Sequence, residues 1–380
     1  MKKTVKLNDI LSITRGASPR PISNYITNES DGVNWIKIGD VDPNSFFITH
    51  TEEKITKEGA KKSRYVKEGD FILSNSMSFG RPYILKINGC VHDGWLILSD
   101  YENYVTSSYL YYLLRSPTVQ SQFDGSANGA TVRNLNSDIV RKVSVSIHTD
   151  KSEQQKIAAH LDSIQSAIDN KKQQLQQLDE LVKSKFVEMF GENPVESGKW
   201  KVEKLSSICK VQTGGTPSRM HPEYFEGNIP WITTANLGVN ELNYDDAMEY
   251  ITQEAVDNSA TKIIPAHSLF IGIRVGVGKC SINNVDMCSN QDICGLSGFD
   301  VARTNLLFVK KVIDSYEDYF DNAKRGTTIK GVKSDTIKEL KIFLPEIELQ
   351  TTFAEYVQKI DSAKSIIKTQ LVDLQELLDS

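Results

Sequence analysis

Two stretches of the chain carry apolar side chains at alternating spacings of four and three. In the first, Ile157, Leu161, Ile164, Ile168, Lys171, Leu175, Leu178, Val182, Lys185 and Met189 keep this rhythm, and eight of the ten are apolar. In the second, Phe353, Val357, Ile360, Lys364, Ile367, Leu371, Leu374 and Leu378 do so, seven of the eight apolar. That period predicts long coiled-coil helices, over 151–192 and 346–380. Ser152 with Gln155 three residues on reads as a capping box. Gly191 reads as a C-terminal stop, and Pro345-Glu346 as the start of the second helix. Neither helix can bury its own stripe. The economical solution pairs the two with each other; the alternative is a coil that joins two separate chains.

The remaining segments, 1–150 and 193–345, are turn-rich and mixed. Runs such as 71–73 and 95–98 predict buried strands between Gly and Asp turns. Residues 109–114 predict a short helix stopped near Pro117, and 143–147 a strand leading into the first long helix. Strands and short helices without strict alternation indicate an α+β class.

The two mixed segments are copies at a period of roughly 195–198 residues, a repeat of the kind that sets a whole fold. Lys6-Leu7-Asn8-Asp9-Ile10 followed by Thr14-Arg15-Gly16 answers to Lys204-Leu205-Ser206-Ser207-Ile208 followed by Gln212-Thr213-Gly214. Trp35-Ile36-Lys37 answers to Trp231-Ile232-Thr233, and Glu153-Gln154-Gln155 to Glu348-Leu349-Gln350. Gly129-Ala130-Thr131-Val132-Arg133 with Ser137-Asp138 answers to Gly326-Thr327-Thr328-Ile329-Lys330 with Ser334-Asp335. A pseudo-twofold relating two such copies predicts antiparallel helices, with one globular domain at each end. Helices of about 33–38 residues are roughly 50–57 Å long.

Catalytic patterns are missing. The run from Gly272 to Cys280 superficially resembles a phosphate loop, but five residues rather than four precede Gly278-Lys279, and Cys280 stands where a hydroxyl is needed. It predicts a strand hairpin instead. Cys280, Cys288, Cys294 and His267 fit no zinc spacing, and the cysteines read as small buried thiols. Asn193-Pro194-Val195-Glu196 lacks the second proline and aromatic of an amino-methyltransferase motif, and Glu339-Leu340-Lys341 has no partner acids for a nuclease. The most apolar stretch, 263–273, is broken by Pro265, His267 and Ser268 and is too short for a membrane span. An odd total of five cysteines without a CxxC pair predicts a reducing, cytoplasmic setting.

With these local sequences, the domain–helix–domain–helix plan resembles the specificity subunits of type I restriction–modification systems. The carrying residues are Thr213-Gly214-Gly215-Thr216-Pro217-Ser218 followed by Gly227-Asn228-Ile229-Pro230-Trp231-Ile232. Others are the strand-to-helix junction from Leu340 to Glu348-Leu349-Gln350, its first copy through Glu153-Gln154-Gln155-Lys156-Ile157-Ala158, and the end of the central helix at Phe190-Gly191. In the first copy Gly16-Ala17-Ser18-Pro19 replaces the Gly-Gly-Thr-Pro form, and His148-Thr149-Asp150 lacks the usual prolines. The resemblance implies two target-recognition domains that each read half of a split double-stranded DNA sequence. It implies paired helices that set the spacing and dock two methyltransferase subunits, with two motor-nuclease subunits as further partners. S-adenosylmethionine, ATP and magnesium would then be bound by the partners, with no cofactor, catalytic residue or metal in this chain.

Charge changes the expected strength of DNA contact. The total is −5. Residues 1–150 carry 18 basic and 16 acidic side chains, 199–345 carry 17 and 18, and 346–380 carry 3 and 7. Negative charge therefore gathers on the helices, which suits protein docking, and the nearly neutral domains predict weak DNA binding by the chain alone. Base reading favours forked side chains, Arg for guanine and Asn or Gln for adenine. The candidates are Arg20, Asn75, Arg81 and Arg133 in the first domain, and Arg219, Asn236, Arg274, Asn290, Gln291 and Arg325 in the second. Lys37, Lys324 and Lys330 suit phosphate contacts, an ammonium being a point charge. Trp35 and Trp231 read as core aromatics. Two other classes compete: a self-contained DNA-modifying enzyme, which the missing motifs oppose, and a structural adaptor with duplicated protein- or glycan-binding domains.

Overall fold

The computed structural model describes residues 1–42, 45–75, 79–126, 135–323 and 331–379. The chain divides into two compact units, 1–172 with 369–380, and 173–368. Both are α+β, and both are built on the same sheet.

In the first unit, strands Ser12–Arg15, Trp95–Ser99, Phe71–Ser74, Pro82–Leu85 and Phe47–Ile48 neighbour one another in that order. All pairings are antiparallel except the last. The second unit repeats the order and every sense with Lys210–Thr213, Ile293–Ser297, Ser268–Gly272, Cys280–Asn283 and Glu241–Leu242. The central strands are buried throughout, so they read as unbroken apolar runs rather than as alternation. Each unit also ties its two ends together by an antiparallel pair, Lys2–Lys6 with Ser144–His148, and Lys201–Lys204 with Lys341–Leu344. A second sheet differs. It has five strands in the first unit and three in the second, which among the described residues has no counterpart to Ile26–Thr27 and Arg64–Val66.

The run from Gly272 to Cys280 is a hairpin connection, with Ile271 opposite Cys280 in the antiparallel pair. The short helix Ser107–Arg115 is followed by a second, Pro117–Ser126. Pro117 therefore opens a helix, the position where a missing N–H costs least.

The long helices are Lys151–Phe190 and Ile347–Asp379. Every seam residue predicted from the spacing is at least partly buried. Within the second unit the pairing is antiparallel: Asp179 bonds Lys364, while Phe186, further along the first helix, meets Phe353, nearer the start of the second, at 5.6 Å. Within the first unit Leu378 packs in the core with Ile157 and Leu161. Two of the charged seam residues are paired where they fall, Lys364 by Asp179 and Lys185 by Glu188 at 2.8 Å. Near the end of the first helix the seam widens. Phe186 and Phe190 join Phe308, Phe343 and Phe353 in one aromatic cluster, as an amphipathic helix facing a globular core requires.

Two local readings need correction. The first helix is capped by Asp150 rather than Ser152: the Asp150 carboxylate accepts the Ser152 N–H at 2.8 Å, placing the helix start upstream of the Ser152–Gln155 box. The repeat also aligns Gln154, not Gln155, with Gln350. Gln154 is fully buried; its Oε1 accepts the Thr106 N–H, and its Nε2 donates to the Tyr104 and His148 carbonyls. Gln350, equally buried, does the same with the Asn305 N–H and the Arg303 and Pro345 carbonyls. Each amide satisfies three backbone groups that burial would otherwise leave without water, and each locks a short helix to the strand-to-helix junction.

Candidate nucleic-acid interface

Some of the side chains predicted to meet DNA lie around a motif that both units build on the second sheet. Trp35, on strand Val33–Ile36, stands opposite Glu53 in the antiparallel register. Trp231, on strand Ile229–Ile232, stands opposite Glu249 in the same way. Both tryptophans are buried, as core aromatics. Each glutamate holds a cation. Lys37 Nζ lies 2.9 Å from Glu53, whose hydrogen bond holds the ammonium above its ordinary range. Arg219 grips Glu249 through both terminal nitrogens at 2.5 and 2.8 Å. The guanidinium also lies over the rings of Phe225 at 4.1 Å and Trp231 at 5.7 Å. The paired arginine holds the Glu249 carboxyl below its usual range. Two of Arg219's five donors are used, so the fork is oriented while donors remain for another acceptor.

A second contact also repeats. In the first unit Ser18 Oγ donates to Asp93 at 2.9 Å. Arg20 reaches the same carboxylate at 3.2 Å and His92 at 3.1 Å, while Arg15 and Asn75 donate to the Asp93 carbonyl at 3.0 and 3.3 Å. Partial burial works to raise the Asp93 carboxyl, but Ser18, His92 and Arg20 together bring it below its ordinary value. In the second unit Thr216 and Gln291 take the places of Ser18 and Asp93, the threonine hydroxyl donating to the amide oxygen. Gly214 and Gly215 make this close approach possible. A Cβ on Gly214 would stand 2.3 Å from the Asn290 carbonyl oxygen, and one on Gly215 would stand 2.4 Å from the Thr261 nitrogen. The Trp231 indole N–H donates to the Gly215 carbonyl at 3.0 Å, joining the arginine motif to the Thr216–Gln291 contact.

The structure therefore brings Arg20, Lys37 and Asn75 around one hollow or its Asp93 wall. That hollow is a cavity of about 530 Å³, lined among others by Ser18, Arg20, Trp35, Lys37, His92 and Asp93. Asn75 itself is buried. Arg81 lies apart, its guanidinium 5.3 Å from the Tyr83 ring. In the second unit Arg274 bonds Asp292 at 3.0 Å, and Asn290 accepts the Asp292 N–H at 3.1 Å, next to Gln291. Asn236 lies elsewhere, bonded within turns to the Thr233 N–H and the Asp246 carbonyl. Arg133, Lys324, Arg325 and Lys330 lie outside the described residues, as does the repeat match over 129–133 and 326–330.

Glu53, Glu249 and Asp93 escaped the sequence reading, which looked for cations and forked amides. A signal was present: each glutamate stands eighteen residues after its tryptophan. Carboxylates neutralise the cations Arg20, Lys37, Arg219 and Arg274, which accounts for domains that are polar yet nearly neutral. The cysteines are all buried and free. Burial pushes the Cys280 thiol up to about 12 and that of Cys288 to about 11. Among the described residues no group of three or more His, Cys, Asp or Glu could hold a metal ion, and no helix is long and apolar enough to cross a membrane.

Comparison with known proteins fits this duplicated plan. The family model of the type I restriction modification DNA specificity domain matches residues 2–180 and again 197–376. The chain is 33% identical over 187 residues to the EcoR124I/EcoR124II specificity subunit of Escherichia coli, covering 47% of this chain and 44% of that protein. It is 29% identical over 163 residues to the MjaIX specificity subunit of Methanocaldococcus jannaschii, covering 43% and 38%. Each match thus spans less than half the length of the curated relative. A chain solved in work on complex assembly and conformational transition of the type I R-M system shares the fold, with a TM-score of 0.64, 15% identity, and 100% and 95% of the two chains covered. So does the S subunit from M. genitalium, at 0.52 and 13%, covering 100% and 94%. With the specificity domain matched twice along nearly its whole length, the chain belongs to the type I restriction–modification DNA specificity family.

Proposed function

We propose that this chain is the DNA-reading subunit of a type I restriction–modification complex, and that it performs no chemistry itself. The recognition domains are 1–150 and 193–345, each meeting one half of a split target in double-stranded DNA. The helices 151–192 and 346–380 fix the spacing between the half-sites and dock two methyltransferase subunits. Two motor-nuclease subunits complete the assembly. S-adenosylmethionine, ATP and magnesium belong to those partners, and the complex works in the cytoplasm, where five unpaired cysteines stay reduced.

One observation carries the reading: the same sheet, the same Trp–Glu register and a cation on each glutamate occur twice, with different cations. Reading two unlike half-sites needs such a repeated frame with changed chemistry. Base contacts are assigned to Arg20, Asn75, Arg81, Arg133, Arg219, Asn236, Arg274, Asn290, Gln291 and Arg325, and phosphate contacts to Lys37, Lys324 and Lys330. The docking role is supported by outward residues of the helices, including Gln173, Gln176 and Gln177 with exposed Leu181 and Ile366. Charge neutralised within each domain supports weak binding without the methyltransferase partners.

The test is methylation mapping in cells that carry the chain with its methyltransferase subunits. A split motif with a nonspecific gap of roughly five to eight base pairs is expected, from half-sites centred about one helical turn apart. One heptad added to both helices lengthens them by about 10.5 Å and should widen the gap by about three base pairs. Methylation by the purified chain with S-adenosylmethionine alone would overturn the reading.

A further inference from the structure

The second unit contains a cavity of about 560 Å³ between the hairpin connection at Gly278-Lys279, the helix Leu306–Asp314 and the helix Ile347–Asp379. Five lysines line it: Lys279, Lys310, Lys311, Lys364 and Lys368, against Asp314, Glu317 and Asp361. The volume lies within the range of small-ligand sites.

The acids leave the lysines only partly balanced. Lys310, its side chain 4% exposed, and Lys311, 20% exposed, share the single carboxylate of Asp314 at 2.9 and 3.7 Å. Asp361 is held by the Asn240 amide at 2.6 Å, and Lys364 turns to Asp179. Among the described residues neither Lys279 nor Lys368 has an ion-pair partner. Burial, with the neighbouring Lys310, pushes the Lys311 ammonium below its ordinary range. A buried lysine and its partly buried neighbour on one acid are costly unless another anion is supplied.

The fold does not demand these lysines. The first unit builds the same short helix as Ser107–Arg115, locked by its own glutamine at the same place. There Tyr111 stands in place of Lys310 and Tyr112 in place of Lys311, with Arg115 in place of Asp314. Tyr111 packs on Phe46 at 4.8 Å and accepts from Arg115 at 2.8 Å. Where one copy places tyrosine rings and an arginine, the other places two lysines and an acid on a lysine-lined hollow. Ammonium groups are compact point charges with rotatable donors that bind phosphate, and the lining includes no arginine fork for two-point contact with a planar carboxylate.

We propose that this cavity is a binding site for a phosphate-bearing anion, held by Lys279, Lys311 and Lys368. The phosphate belongs either to a free anion or to a nucleic-acid backbone.

The test uses the full chain and inorganic pyrophosphate, followed by calorimetric titration and thermal shift. Saturable binding of one pyrophosphate per chain is expected. It should weaken at least tenfold in Lys311→Gln and severalfold in the double variant Lys279→Gln, Lys368→Gln, whose rim positions spare the fold. If the native ligand is a DNA phosphate, DNA displaces pyrophosphate, and the rim variant lowers the salt dependence of DNA affinity by about one unit per lost contact. If it is a free anion, DNA does not compete and DNA affinity is unchanged. Absence of saturable pyrophosphate binding together with an unaltered salt dependence would overturn the proposal, as would equal binding by the wild-type chain and both variants. The pyrophosphate measurement is made without DNA, so its result stands apart from the assignment of DNA reading.

Discussion

The first unit sets a lysine beside its Trp–Glu pair, and the second sets an arginine there. Around them the frames agree. The five-stranded sheets share order and sense, the strand pairs that close each unit match, and Gln154 and Gln350 bond the same three kinds of backbone group. The copies diverge in the polar and charged groups around these frames, at the surface and, at Tyr111 and Lys310, beneath it. Asp93 with Arg20 and His92 becomes Gln291 with Thr216, and the Tyr111–Arg115 pair becomes Lys310–Asp314. Buried hydrogen-bonded groups are held in place by the cost of leaving a partner unpaired. Exposed charges such as Arg20 and Arg219 carry no such penalty and are free to take up new chemistry in each copy, whereas buried Lys310 keeps a carboxylate partner in Asp314.

The clamp glutamines offer the strongest break in this symmetry. Gln350→Leu leaves the Asn305 N–H and the Arg303 and Pro345 carbonyls unpaired, at a cost of about 3–5 kcal/mol. Hydrogen exchange should show lost protection at 303–306 and 345–350, with 104–106 and 148–154 unaffected. Gln154→Leu should give the mirror image. A smaller effect is expected at the glycine that follows the first strand of the shared five-stranded sheet in each unit, Gly16 after Ser12–Arg15 and Gly214 after Lys210–Thr213. Gly214→Ala drives a Cβ to 2.3 Å from the Asn290 oxygen, and Gly16→Ala to 2.2 Å from the His92 oxygen. Each should destabilise its own unit by about 1–3 kcal/mol in urea unfolding.

The smallest effect separates the two cations by pH. Lys37 is raised, so its pair is fully present below the ordinary lysine value of about 10.4 and is lost as pH rises through the higher folded value. Arg219 remains charged throughout that range. On the acid side, Glu249 is lowered; its pair is present above about 4.3 and is lost as pH falls through the lower folded value. The Trp35 indole N–H resonance should therefore shift in alkali while that of Trp231 holds, and Trp231 should move in acid.

Long-range repetition and the helical seams were legible in the sequence because each rests on a period: the spaced residues from Ile157 to Met189 and from Phe353 to Leu378 are all at least partly buried. The α+β class and the hairpin after Gly272 also followed from local pattern. The helix cap at Asp150 did not, since the Ser152–Gln155 pattern offered a competing start two residues on; nor did the Gln154–Gln350 equivalence, which depends on backbone groups far along the chain. The binding candidates were chosen by side-chain type, which marks Arg219 and Lys37 but is blind to the carboxylates that orient them. Glu249 meets Arg219 only because strand register puts it opposite Trp231. Asn75 and Asn236 show the same blindness: chosen as amides by type, each also bonds the backbone of its own unit, which spacing did not announce.

Arg219 gives the most direct test that each copy reads its own half-site. Arg219→Ala and Lys37→Ala chains are expressed with their methyltransferase subunits, and the methylated motif is mapped across the genome. Arg219→Ala should relax one position in one half of the motif, a discrimination loss of about 1–3 kcal/mol, and leave the other half unchanged. Lys37→Ala should weaken methylation evenly over all sequences without changing the motif. Relaxation of both halves together by Arg219→Ala, or an unaltered motif at full methylation, would contradict the account.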